Sequence, residues 1–96
     1  MTAKRDKRSL VHQRCVERIK RLRAMRNLSQ AEAALHLGWS AASYSDIESY
    51  NKKLELDKLD ALATFYNVTI SFLVDGSEDK LSKEMREKIR ESVFWL

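Results

Sequence analysis

Apolar residues recur along the chain at spacings of three and four, and the phase is broken wherever a serine, asparagine or glycine intervenes. Short amphipathic helices separated by tight turns produce this pattern. Val11, Cys15, Ile19 and Leu22 line one face of a first helix, and Leu56, Leu59, Leu62, Ala63 and Tyr66 one face of a fourth. Between them, Ser29 can accept from the freed amides of a helix start while Glu32 reaches back, a capping box that opens a second helix at Gln30. Gly38 follows Leu37 where the chain must reverse, and glycine takes a positive φ there without steric cost. Ser40 caps again, so that Ala41–Ser49 forms a third helix with Tyr44 and Ile47 inward. The small Ala34 suits a close crossing of the second and third helices. Asn67 can end the fourth helix in the left-handed conformation, and Ile70–Leu73 adds a short fifth before the break at Asp75-Gly76. Ser77 can then cap a sixth helix with Leu81, Met85, Ile89 and Val93 on one face.

The segment from Leu28 to Ile47 thus spells two short helices hinged at one glycine, a helix-turn-helix. Around it, from about Val16 to Leu73, the chain resembles the repressor-type helix-turn-helix proteins of the Cro and xenobiotic-response-element class. The resemblance rests on Arg18-Ile19-Lys20-Arg21-Leu22-Arg23, Leu28-Ser29-Gln30, Leu37-Gly38, Asp46-Ile47-Glu48, and Leu59, Leu62, Ala63, Val68 and Leu73 behind them. Ala33 departs from the usual leucine, Trp39 and Tyr44 from smaller aliphatics, and Tyr50 from a frequent glycine. The family implies an all-α fold, a compact five-helix lambda-repressor-like DNA-binding bundle over residues 10–75. To this the chain adds a basic N-terminal arm, residues 1–9, and a C-terminal helix and apolar tail, residues 76–96. It also implies an Arg23–Glu48 pair, which we assign to architecture rather than to DNA.

Charge sharpens the picture. Residues 1–26 hold ten Lys or Arg against two acids, whereas the rest of the chain holds eight against twelve. Lys4, Arg5, Lys7 and Arg8 on the arm, with Lys20, Arg21 and Arg26 on the first helix, suit a polyanion. No alternating run of β-branched residues argues for a sheet, the single Cys15 has no partner for an internal disulfide, and neither a signal segment nor a membrane run is read. A cytoplasmic protein is expected, with no membrane partner and no small-molecule effector domain. His12, Cys15 and His36 lack metal-site spacing, so no metal, cofactor or enzyme activity is expected.

By analogy with the family, the N-terminal part of the third helix enters the major groove and turns Ser40, Ala41, Ala42, Ser43, Ser45 and Asp46 toward the bases. This set lacks Arg, Lys, Asn and Gln, whose bidentate base contacts discriminate by about 1–3 kcal/mol each. Direct readout is therefore thin, and affinity rests on phosphates, with Gln30, Lys52 and Lys53 as the expected contacts and duplex shape supplying specificity. The apolar terminus either folds back on its own bundle or joins a second copy through Met85, Ile89, Val93, Phe94 and Trp95. A dimer would read half-sites about 34 Å apart on a palindromic operator. The rival reading is an antitoxin or protein-interaction module, with a toxin as a possible partner, that keeps the fold and binds DNA weakly.

Overall fold

The computed structural model describes residues 9–95, so Lys4, Arg5, Lys7 and Arg8 of the basic arm, and Leu96, lie outside the described residues. The chain forms α1 (Leu10–Met25), α2 (Gln30–Leu37), α3 (Ala41–Glu48), α4 (Leu56–Phe65), α5 (Ile70–Asp75) and α6 (Lys83–Glu91), closed by a 3-10 turn at Val93–Trp95. No strand occurs among the described residues.

Hydroxyl caps set most of the helix starts. Ser9, assigned by the sequence to the arm, accepts from the His12 amide at 3.0 Å and begins α1. Ser29 accepts from Glu32 N–H at 3.0 Å while the Glu32 carboxylate accepts from Ser29 N–H at 2.8 Å, completing the capping box. Ser40, Thr69 and Ser82 cap α3, α5 and α6 in the same way. Asn67 is left-handed at φ 60°, as expected for a short polar residue after α4.

Gly38 closes α2 at φ 76°, and nothing lies within 4 Å of where its Cβ would stand. Gly38→Ala therefore isolates the conformational cost of a left-handed L-residue. Thermal unfolding should report a loss of about 1–2 kcal/mol, and an unchanged midpoint would refute the need for glycine here.

α1 runs through the middle, packed on α3, α5 and the closing turn, while α2 pairs with α3 and α4 leans on α2 and α5. The core holds Val16, Ile19, Leu22, Tyr44, Leu62, Tyr66 and Leu73, all fully enclosed. Val93, expected on the face of the sixth helix, falls past its end and is 70% exposed, and two further stripe positions are corrected: Val11 is 54% exposed and Leu56 74%. Both lie in the first turn of a helix, before its inward face reaches the core, and Val16 takes the inward place on α1.

Two further features escaped the sequence pattern. Arg18 Nη1 donates to the Leu73 and Val74 carbonyls at 3.1 and 3.3 Å, so a side chain of α1 satisfies the carbonyl end of α5. The sixth helix is capped by Ser82, not Ser77, because the Ser77 amide donates to Asp75 Oδ1 at 2.9 Å in a local turn that competes with a helix start. The irregular link lets Leu81 reach the core ahead of α6.

Candidate nucleic-acid interface

Ser40 and the N-terminal turn of α3 form an exposed edge. Ser40, Ala41 and Ala42 face solvent, and Ser43, Ser45 and Asp46 are half-buried. Ser40 Oγ accepts from the Ser43 amide at 3.1 Å and donates to Ser43 Oγ at 2.9 Å, which leaves the Ser43 hydroxyl hydrogen to point elsewhere. The edge is small and hydroxyl-rich, with two methyl groups and one carboxylate.

Behind that edge lies a polar network. Glu48 is 2% exposed, yet the Arg23 guanidinium holds it with two bonds of 2.8 and 2.9 Å, and Gln30 Nε2 donates to it at 3.0 Å. Arg23 Nη1 also donates to the Leu28 carbonyl at 2.8 Å, tying α1 to the start of α2. Burial by itself would raise the Glu48 carboxyl pKa. Hydrogen bonds from Arg23, Tyr44 and Gln30 overcome it and hold the group below its ordinary value. The Tyr44 and Tyr66 hydroxyls meet at 2.6 Å in the core. Either hydroxyl can be the donor in that bond. Burial pushes the Tyr66 hydroxyl up to about 12. The network orients Gln30, the sequence-predicted phosphate contact, at the first position of α2, with its second amide hydrogen still available to donate.

The loop after α3 is drawn back to α1. Tyr50 is left-handed at φ 66°, its hydroxyl donates to Glu17 Oε2 at 3.3 Å, and Lys20 lies 5.3 Å from its ring centre. These contacts offset a backbone conformation in which the family often has glycine. Beyond Tyr50, Lys52 and Lys53 share the wall of one cavity with Trp39, Ser43, Ile47, Glu55 and Lys58. The structure thus brings Ser43, Lys52 and Lys53 together and adds Trp39 and Lys58, which sequence reading had not placed at the interface. Lys58 sits on the first turn of α4, and only the path of the loop brings it back to the turn residue Trp39.

The C-terminal residues assigned to a symmetric surface divide. Met85 and Ile89 are buried in this chain's own core, and Trp95 packs on it with Nε1 2.7 Å from Met25 Sδ and its ring 5.4 Å from Phe72. The fold-back alternative therefore describes these three side chains. Val93 and Phe94 remain 70% and 47% exposed.

Other candidate chemistry is weak on physical grounds. Burial pushes the Cys15 thiol up to about 11 against the pull of Arg18, so it is not a thiolate at neutral pH. Among the described residues, no group of three His, Cys, Asp or Glu side chains could hold a metal, and no helix is long and apolar enough to cross a membrane.

Two short helices joined through a left-handed glycine, with the second helix edge exposed and backed by α1, α4 and α5, define a helix-turn-helix domain of the lambda-repressor-like kind. A helix-turn-helix family model matches residues 19–73, more than half of the chain, and the chain belongs to that family, in its xenobiotic-response-element class. It is 34% identical over 73 residues to the cryptic phage CTXphi transcriptional repressor RstR of Vibrio cholerae, and 31% identical over 75 residues to the uncharacterized HTH-type transcriptional regulator YobD of Bacillus subtilis (strain 168). These alignments cover 76% and 78% of this chain and 66% and 67% of the relatives' own lengths. No solved structure matches significantly.

Proposed function

We propose that this protein is a sequence-specific DNA-binding transcriptional regulator, a repressor or autoregulator, acting in the cytoplasm as a homodimer on a palindromic operator. The observation that carries the reading is the exposed edge of α3, presented beside a Gln30 whose amide is held by Glu48. Similarity to a phage repressor supports the regulatory role. Ala41 and Ala42 would meet thymine methyl groups, Ser40, Ser43 and Ser45 would bond base edges or phosphates, and Asp46 would accept from cytosine. Gln30, Lys52 and Lys53 would hold phosphates, so most of the affinity would be backbone contact. Val93 and Phe94 are the part of the C-terminal surface left to meet a second copy.

The test is selection from a random duplex library at near-physiological salt, followed by titration of the winner beside a scrambled control. A two-fold-symmetric site preferred by roughly a thousandfold supports the reading. In the same assay, Gln30→Ala should weaken all duplexes about equally, by roughly tenfold or more for one lost charge-assisted contact. No enrichment, with binding that vanishes as salt rises, would instead favour the protein-interaction reading, for which the absence of Arg, Lys, Asn and Gln on the α3 edge already speaks.

A further inference from the structure

The cavity between the turn and the loop after α3 has a volume of about 250 Å³ and a distinctive wall: the Trp39 indole, the Ser43 side chain, Ile47, and Lys52, Lys53 and Lys58 against the single carboxylate of Glu55. Lys58 Nζ lies 4.6 Å from the centre of the Trp39 ring, held over its face. None of the three lysines is in an ion pair among the described residues. Three ammonium groups beside one carboxylate leave a surplus of positive charge without a counter-ion. The volume is below the roughly 300 Å³ at which pockets for drug-sized ligands begin, yet it exceeds several times the ~30 Å³ share of a water. A tetrahedral anion with an attached sugar matches both the size and the charge.

We propose that this cavity is a seat for a phosphate ester, in which Lys58 joins Lys52 and Lys53 on the phosphate oxygens, Ser43 donates its free hydroxyl hydrogen, and the sugar lies on the Trp39 indole. The phosphate can come from a duplex backbone or from a free phosphomonoester, since both present the same oxygens. The duplex source rests on the DNA-binding reading above, whereas the free source does not.

The test follows the Trp39 indole N–H and the Ser43 amide by NMR in the full chain, titrated separately with ribose 5-phosphate and with a short duplex. Lys58→Gln is the variant, and Lys83→Gln, on the exposed start of α6, the control. If the duplex fills the seat, Lys58→Gln should weaken duplex binding roughly fivefold and reduce the salt slope by about one, with Lys83→Gln unchanged. If a free phosphomonoester fills it, ribose 5-phosphate should move both Trp39 and Ser43 signals saturably, and Lys58→Gln should abolish the shift. Saturation by the sugar phosphate with no duplex binding at all would uphold the seat while the DNA reading fails. Normal duplex binding by Lys58→Gln, with no shift at Trp39 from either titrant, would overturn the seat while the DNA reading stands.

Discussion

Arg23→Ala should cost about 3–5 kcal/mol of folding stability, the amount typical of stranding one member of a buried ion pair. Its partner Glu48 is almost wholly enclosed, and removing the guanidinium deletes both of its strongest bonds together with the bond to the Leu28 carbonyl. Tyr44 and Gln30 would remain as neutral donors to an anion in the core. The penalty is mostly that of the uncompensated charge, so replacing both partners, as in Arg23→Met with Glu48→Leu, should lose much less. Denaturant titration near neutral pH checks the ordering. A single variant no less stable than the double would show that the stranded Glu48 charge is not the source of the loss.

The pH dependence gives this prediction a sign. The folded-state pKa of Glu48 is depressed, so the stability it contributes is present above the unfolded carboxylate value of about 4.3 and lost as pH falls through the lower folded value. The native protein should weaken over that acidic window. The gap between it and Arg23→Ala should narrow there, because protonating Glu48 removes the charge that Arg23 had compensated. A gap that stays constant on acidification would contradict the assignment of the penalty to Glu48.

The second large effect concerns the C-terminal segment. Truncation after Gly76 should destabilise the domain itself, since it removes Leu81, Met85 and Ile89 from the core. Each such side chain contributes about 1.5–3 kcal/mol when fully buried, a large share of the ~5–15 kcal/mol that a domain has in total. A fall in the thermal midpoint of roughly 15 °C or more is expected at the usual sensitivity of small domains. Association is separable from this packing. The double substitution Val93→Ser and Phe94→Ser changes only exposed side chains and should leave the midpoint nearly unchanged, while in sedimentation it should shift a dimer toward monomer. If the truncated chain melts like the native one, α6 is not part of the folding unit. If the double variant sediments as the native protein does, these two residues do not join copies.

The local devices were readable from the sequence because their physics is local. Ser29 and Glu32 are one helical turn apart, Gly38 and Asn67 carry their own left-handed preference, and Tyr44 and Ile47 must share a face of any helix that holds both. The order of the first five helices follows from those stops and starts, and the Arg23–Glu48 pair was legible through family resemblance alone. Being local was not always enough: at Ser77 two local devices compete, and the Asp75 carboxylate takes the Ser77 amide and moves the start of α6 to Ser82.

What sequence could not decide is what depends on contacts between distant segments. The periodicity of Met85 and Ile89 shows an apolar face and says nothing of its partner, because burial in one's own core and burial against a copy select the same residues. The tertiary structure turned that face onto its own chain, with Trp95 against Met25 and Phe72. In the same way, Trp39 and Lys58 are 19 residues apart and share no local signal. They meet because Tyr50, held to Glu17 and Lys20 of α1, turns the loop back over α3. Capping and periodicity are energies of neighbours along the chain. Which faces meet is an energy of the whole bundle, and only its packing could choose.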